Sequence, residues 1–273
     1  MKNKIDYDVI ENIEDPDVHI LGLPKNLIDI KIDKDYKYKI TNPITKIFSF
    51  ILYMVSLLVF PIILSLKYGL IIKGRRNLRN IKSGAVSISN HIHIFDGAIV
   101  SQALFPKKLI FHSLETNFRI PVTRHLIRLL GCVPIPESIS AKQTYIKATN
   151  QSLKEGRFVQ IYPEASMWPN YTKIRPFKNG AFHFAVRNNV PIIPLCINFR
   201  QPRGIFKYFK DSDSLITVHI GKPLYPNMDL PFKECVEDLL NRSHKNIFRM
   251  NKYFKVLDKH SVEKLEIEKE EII

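Results

Sequence analysis

A run of twenty residues without a single charge, 47–66 (IFSFILYMVSLLVFPIILSL), separates a polar N-terminal stretch from a longer region of short apolar runs alternating with amphipathic ones. Twenty residues of helix reach about 30 Å, the thickness of a hydrocarbon core. The run therefore reads as a membrane-attached helix, with a buried core helix as the competing reading. Pro61 would kink such a helix or mark the turn of a re-entrant hairpin. Lys37, Lys39 and Lys46 precede the run, and Lys67, Lys73, Arg75, Arg76 and Arg79 follow it. The positive-inside rule then gives little orientation, and both ends on one side of the membrane would account for the symmetry.

After residue 67 the pattern changes to β-branched runs separated by helical ones, which predicts an α/β domain with a mixed sheet flanked by helices. Strands are expected over 68–72, 85–89, 108–112, 158–162, 192–198 and 215–220. Helices are expected over 97–104, 121–130, 141–154, 181–188 and 232–253. The chain then divides into a peripheral polar appendage (1–43), the apolar segment (44–67), one catalytic-size domain (68–257) and an acidic tail (258–273). The first 40 residues are too polar and acidic to read as a signal peptide.

Charge sharpens this division. Residues 1–43 carry nine acids and seven lysines, and residues 258–273 carry six acids and three lysines. Against a net charge of +15 for the whole chain, residues 44–257 therefore hold 31 basic and 11 acidic residues, a net of +20. Such a body suits anionic lipid headgroups, an anionic carrier or thioester, or nucleic acid. No groove-reading basic helix, aromatic RNA-binding motif or zinc-finger spacing is present, so nucleic acid is not expected as a partner. Three cysteines (Cys132, Cys196, Cys235) without C-x-x-C spacing argue against a disulfide framework or zinc site and for a reducing compartment.

Chemistry concentrates where the predicted strand 85–89 gives way to a helix: Asn90-His91-Ile92-His93-Ile94-Phe95-Asp96-Gly97. A His with a carboxylate behind it is the minimal apparatus for taking a proton from a hydroxyl. His91 falls at the C-terminal end of a strand, where α/β domains hold their working residues. Taken alone the pair is weak, since Asp96 could serve only as a helix cap. His93 adds a metal-hydrolase reading, because His91 and His93 would point the same way on an extended strand. Against it, the Asp comes one place late for the H-x-H-x-D-H pattern, and Gly97 stands where the next His should be. No G-x-S-x-G elbow, P-loop or G-x-G-x-x-G occurs.

Three further segments follow in order. They are Phe158-Val-Gln-Ile-Tyr-Pro163-Glu164-Ala165-Ser166, Arg175-Pro176-Phe177-Lys178-Asn179-Gly180 and Val190-Pro191-Ile192-Ile193-Pro194. With the His91 segment they resemble the glycerolipid acyltransferase family, best known for the 1-acylglycerol-3-phosphate acyltransferases, over roughly residues 66–225. The family pattern is N-H-x4-D, a glycine-containing block, F-P-E-G-[TS]-R, P-F-K-x-G and V-P-[IV]-[IV]-P.

The resemblance implies His91 as general base, Asp96 as its orienting partner, and Asn90, Gly97 and Pro163 as motif-flanking positions. It implies acceptor binding by Glu164 with Ser166, Arg175 and Lys178. It further implies a fatty acyl donor, either acyl-CoA or acyl-carrier protein, a lysophosphatidate-like lipid acceptor, a membrane surface, and a catalytic domain facing the cytoplasm. No cofactor and no metal are expected. Two departures stand out. Met167 replaces the arginine of E-G-[TS]-R, and the block from Leu129 to Glu137 lacks the arginine that usually follows its glycine. Either other cations (Arg119, Lys173, Arg175, Lys178) substitute or the acceptor carries no phosphate. A catalytically silent membrane-binding homologue is the remaining alternative. Trp168 beside the motif would line an apolar or sugar-like pocket, or simply pack or anchor at an interface.

Overall fold

The computed structural model describes residues 13, 15, 18, 20, 27–30, 32–202 and 215–259; the acidic tail lies outside them, apart from its first two residues. The apolar run forms one continuous helix, α1 (Pro43–Tyr68). Asn42 starts it, its side chain accepting from the Thr45 N–H at 3.1 Å, and Pro43 occupies the first turn, where a missing N–H costs nothing. Pro61 sits inside the helix without ending it. Gly69, in the left-handed conformation (φ 50°), closes the helix. The expected strand over 68–72 therefore shortens to β1 (Ile71–Lys73), because Tyr68 is the last helical residue.

The domain then runs β2 (Ala85–Ser89), α2 (Asp96–Leu104), β3 (Leu109–Leu114), α3 (Glu115–Phe118), α4 (Thr123–Leu129), β4 (Cys132–Ile135), α5 (Ile139–Lys154), β5 (Phe158–Ile161), α6 (Gly180–Asn188), β6 (Ile192–Arg200), β7 (Leu215–Ile220) and α7 (Phe232–Lys259). The seven strands form one sheet in the order β1-β7-β6-β2-β5-β3-β4. Strands β6, β2, β5, β3 and β4 are parallel, and β7 turns antiparallel to β6. The sheet is mixed and flanked by helices, as expected. Strand β4 escapes the pattern because it is four residues long and contains Pro134. Proline is tolerated on an edge strand, and β4 pairs only with β3. The helix expected over 121–130 begins at Thr123, after a separate short turn of helix, α3.

Every residue of β2 is buried, as a central parallel strand between two helical layers requires. Val86 and Ile88 pack with Val159, Phe182 and Leu239 on the side of α5, α6 and α7. Ala85, Phe158 and Ile193 pack with Ile99 of α2 and Leu64 and Tyr68 of α1 on the other. The end of β2 is thus held on both faces and by both neighbouring strands.

The first layer also buries a polar group. His112 of β3 hydrogen-bonds the Tyr145 hydroxyl (Nδ1, 2.6 Å) and lies 3.4 Å from Thr149 Oγ1 (Nε2). Burial pushes its imidazole down to about 3. The unfolded chain therefore takes up this proton near pH 6.5 while the folded one does not, so stability falls as pH drops from there toward about 3. For this one residue the loss at pH 5 should be about 2 kcal/mol. Thermal melts between pH 7 and 5 check this, and His112→Gln should flatten the profile.

Candidate active site

Seven residues before Asp96, strand β2 ends at Ser89, and the chain must turn into α2. Asn90 fixes the point of departure. Its side-chain amide donates to the Ile197 carbonyl (2.9 Å) and accepts from the Ile197 N–H (2.8 Å), extending the β2–β6 pairing by one residue. Asp96 gathers the turn. Its Oδ2 accepts from the backbone N–H groups of Ile92 (2.8 Å) and His93 (3.0 Å) and meets His91 Nδ1 at 2.8 Å. Asp96 is fully buried, whereas the His91 side chain keeps 23% of its surface. A carboxylate only accepts, so Nδ1 carries the proton and Nε2 carries the lone pair. The ring is held flat against Tyr162, centroids 3.9 Å apart and planes 13° from parallel. The sequence alternative in which Asp96 merely caps the helix is superseded, because its carboxylate holds the histidine as well as the turn.

His93 does not join His91. The strand has already ended, and residues 91–93 are not extended partners in a ladder. The His93 ring lies edge-on to Tyr68 at 4.8 Å and near Phe95 and Phe199, and its Nδ1 accepts from the Phe95 N–H at 3.1 Å. Among the described residues, no three His, Cys, Asp or Glu side chains are placed to hold a metal ion together. Gly97 is the second residue of α2, where an added Cβ would make only ordinary contact with Phe111 at 3.9 Å.

The segment after β5 comes back beneath this turn. Its backbone donates from Trp168 N–H to the His91 carbonyl (3.0 Å) and from Asn170 N–H to the Ile92 carbonyl (2.8 Å). Glu164 Oε2 accepts from the His91 N–H at 3.3 Å. Ala165 takes φ 65° in the left-handed region, which explains why the family pattern prefers glycine at this position.

Arg175 reaches into the same cluster. Its guanidinium donates to Glu164 Oε2 (2.9 Å), Ser166 Oγ (2.7 Å) and the Ser166 carbonyl, and lies 4.5 Å from the centre of the Trp168 ring. Its backbone N–H meets Glu164 Oε1 at 3.2 Å. Both charges are buried, Arg175 with 4% of its side chain exposed and Glu164 with none. Desolvation raises the Glu164 carboxyl above the ordinary carboxylate range, with Arg175 acting in the opposite direction. Trp168 is fully buried, its Nε1 donating to the Val18 carbonyl at 2.9 Å, and it packs against the Arg175 guanidinium and the Tyr171 ring.

Of the remaining expected cations, Arg119 is paired with Glu115 (3.2 Å) and Glu137 (3.1 Å). Lys173 and Lys178 are exposed on the loop between β5 and α6, and the Lys178 backbone N–H meets the Pro163 carbonyl at 2.8 Å. An apolar cavity of about 280 Å³ opens where β4 ends and α6 begins, lined by Ile135, Tyr145, Ile146 and Phe184 with Lys142 and Arg187. Sequence reasoning gave no sign of it, since its walls come from three separated elements.

The region that builds this site matches a known family. Residues 69–198 match the Acyltransferase family profile. A chloroplastic 1-acyl-sn-glycerol-3-phosphate acyltransferase of Brassica napus is 27% identical over 158 residues, 56% of this chain and 44% of that one. The 1-acyl-sn-glycerol-3-phosphate acyltransferase of Saccharomyces cerevisiae is 26% identical over 171 residues, 59% of this chain and 54% of that one. The chain spans about half the length of these relatives. A crystal structure of the 1-acyl-sn-glycerophosphate acyltransferase of Thermotoga maritima aligns over 74% of this chain and 81% of its own, with 18% identity and a TM-score of 0.48. The matched segment holds the His91–Asp96 turn and the Glu164 strand end, while Met167 stands where the motif carries arginine: residues 69–198 are similar to the Acyltransferase family and diverge from its motif at that position.

Proposed function

We propose that this protein moves a fatty acyl group from an acyl thioester, acyl-CoA or acyl-carrier protein, to a free hydroxyl of a lysophosphatidate-like glycerolipid. The observation that carries this reading is the 2.8 Å contact of buried Asp96 with His91 Nδ1, which leaves Nε2 as the ring's basic nitrogen. Nε2 takes the proton of the acceptor hydroxyl as its oxygen attacks the thioester carbonyl. Asp96 stabilises the imidazolium that forms and keeps the tautomer fixed. Collapse of the tetrahedral intermediate re-forms the carbonyl and breaks the carbon–sulfur bond, and the imidazolium returns the proton to the departing thiolate. The substrate itself is the nucleophile, so no acyl-enzyme forms.

Glu164, Ser166 and Arg175 hold the His91 loop from below in this reading, and the acceptor meets the exposed Lys173 and Lys178. The apolar cavity beside α6 opens at the C-terminal edge of the parallel strands, where His91 also emerges, and suits an acyl chain. Helix α1 attaches the enzyme to a membrane. It contacts the domain along its length, through Ser49 Oγ on the Leu129 carbonyl (2.6 Å), Phe60 against Phe95, and buried Leu64. Its other face leaves Leu58 68% and Leu66 73% exposed. A helix fastened at both ends lies along the membrane surface rather than through it, with the domain on the cytoplasmic side, where thioester donors are made.

The test is acyl transfer by the purified full chain, with labelled acyl-CoA and acyl-carrier protein, to lysophosphatidate and to lysolipids without a phosphomonoester. Transfer to lysophosphatidate is expected. Transfer only to the other lysolipids would keep the chemistry and reassign the acceptor, with Met167 and the inward-turned Arg175 as the reason. No transfer to any acceptor would overturn the reading.

A further inference from the structure

The groove at the start of α1 lies at the opposite end of that helix from the His91 turn. Tyr68, the last residue of α1, touches His93, and 26 residues of helix span about 39 Å. This groove, about 460 Å³ in volume, is formed where residues 37–42 meet the first turns of α1 and the end of α4. Its walls include Lys37, Lys39, Asn42, Phe48, His125 and Arg128, and among the described residues no acid. Arg128 is set in place. Its guanidinium lies 5.1 Å from the centre of the Tyr36 ring and donates to the Tyr36 hydroxyl (3.3 Å) and the Lys37 carbonyl (3.0 Å). Beside the groove, Glu155 pairs with Lys39, and Arg124 Nε donates to His125 Nε2 at 3.0 Å.

The groove sits at a particular depth. The exposed apolar face of α1 begins at Ile44, Ile47, Phe48 and Phe50, immediately beside these cations. If that face enters a bilayer, as the membrane reading above requires and on which this inference rests, the groove lies at headgroup level. We infer that it binds the anionic headgroup of a bilayer phospholipid, with Lys37 and Arg128 facing the phosphate and Phe48 meeting the start of the acyl chains. Lys37 and Arg128, with Lys39 held by Glu155 beside them, favour net negative charge, and a choline headgroup would bring a further cation among them. This is a second lipid site, separate from acyl transfer, that holds α1 and hence the domain at one depth and one rotation on the surface.

Flotation of the full chain with vesicles of phosphatidylcholine alone, and of phosphatidylcholine with phosphatidylglycerol at 4:1, tests this. Wild type should bind the anionic vesicles more tightly. Lys37→Gln/Arg128→Gln should weaken that binding by roughly 25-fold, about five-fold per cation. Lys233→Gln/Lys252→Gln, on exposed positions of α7 across the sheet, should change it less than two-fold. Lys37→Gln/Lys39→Gln, which spares the Tyr36 packing, should behave like the first pair if Arg128→Gln disturbs folding. Equal losses in the groove and α7 pairs would overturn the groove in favour of diffuse attraction. Equal binding of wild type to both vesicles would overturn it while leaving membrane attachment standing. Failure to bind either would remove both, whereas loss in both vesicles on Leu58→Asp/Ile62→Asp supports the membrane reading. Binding of soluble glycerol 3-phosphate without any vesicle preference would overturn the bilayer assignment.

Discussion

His91→Ala should lower acyl transfer by about 10²–10⁴-fold, the range that a positioned general base contributes. The loss belongs in kcat, with little change in KM for the acyl donor, because the proton is moved only in the transition state. The melting temperature should stay near that of wild type, since the ring is partly exposed and its packing partner is a single face of Tyr162. Asp96→Asn should behave differently. The same carboxylate oxygen serves His91 Nδ1 and the Ile92 and His93 N–H groups, so an amide there loses the tautomer and loosens the turn together. Activity should fall as far as in His91→Ala, and stability should fall as well. Steady-state rates set beside thermal melts separate the two effects. A His91→Ala enzyme with wild-type kcat would remove His91 from the mechanism.

For stability, the largest effect is expected at Arg175. Removing it leaves the fully buried Glu164 carboxylate without its partner, and such truncations cost about 3–5 kcal/mol. Arg175→Ala should also lower activity, because Glu164 Oε2 is bonded to the His91 N–H. The pH dependence follows from the direction of the Glu164 shift. Its folded carboxyl already binds protons more tightly than the unfolded one, so its contribution is favourable at low pH and is lost as pH rises through the folded value. Without the opposing charge of Arg175 that shift grows, and the variant should be closest to wild type near pH 5 and furthest from it at pH 7. Glu164→Gln/Arg175→Met should recover part of the loss, since no lone buried charge remains. Urea titrations at the two pH values check both statements. A deficit in Arg175→Ala that is independent of pH would mean that lost packing against Trp168, not the carboxylate, sets its size.

Much of this protein was legible along the chain because its signals are local. Twenty uncharged residues, a β-branched run ending at Asn90, and a His five residues before an Asp each declare themselves within one element. The expected α/β class and mixed sheet follow from such runs, and so does the long helix, whose continuity through Pro61 nonetheless had to be observed. What the chain alone left open depends on partners distant in sequence. Strand β4 exists because β3 offers an edge that accepts Pro134. His93 belongs to an aromatic cluster because α1 returns Tyr68 to it.

Arg175 shows the division most clearly. Its sequence marks a cation near the missing motif arginine, which suggests contact with an acceptor. Folding instead turns its guanidinium inward onto Glu164, Ser166 and Trp168, since an arginine taken out of water must find a carboxylate and carbonyls. The sequence by itself determined the residue types, their order and the apolar helix. Only the tertiary structure decided which charges face each other, because burial and partnership are properties of the packed sheet and not of any one segment.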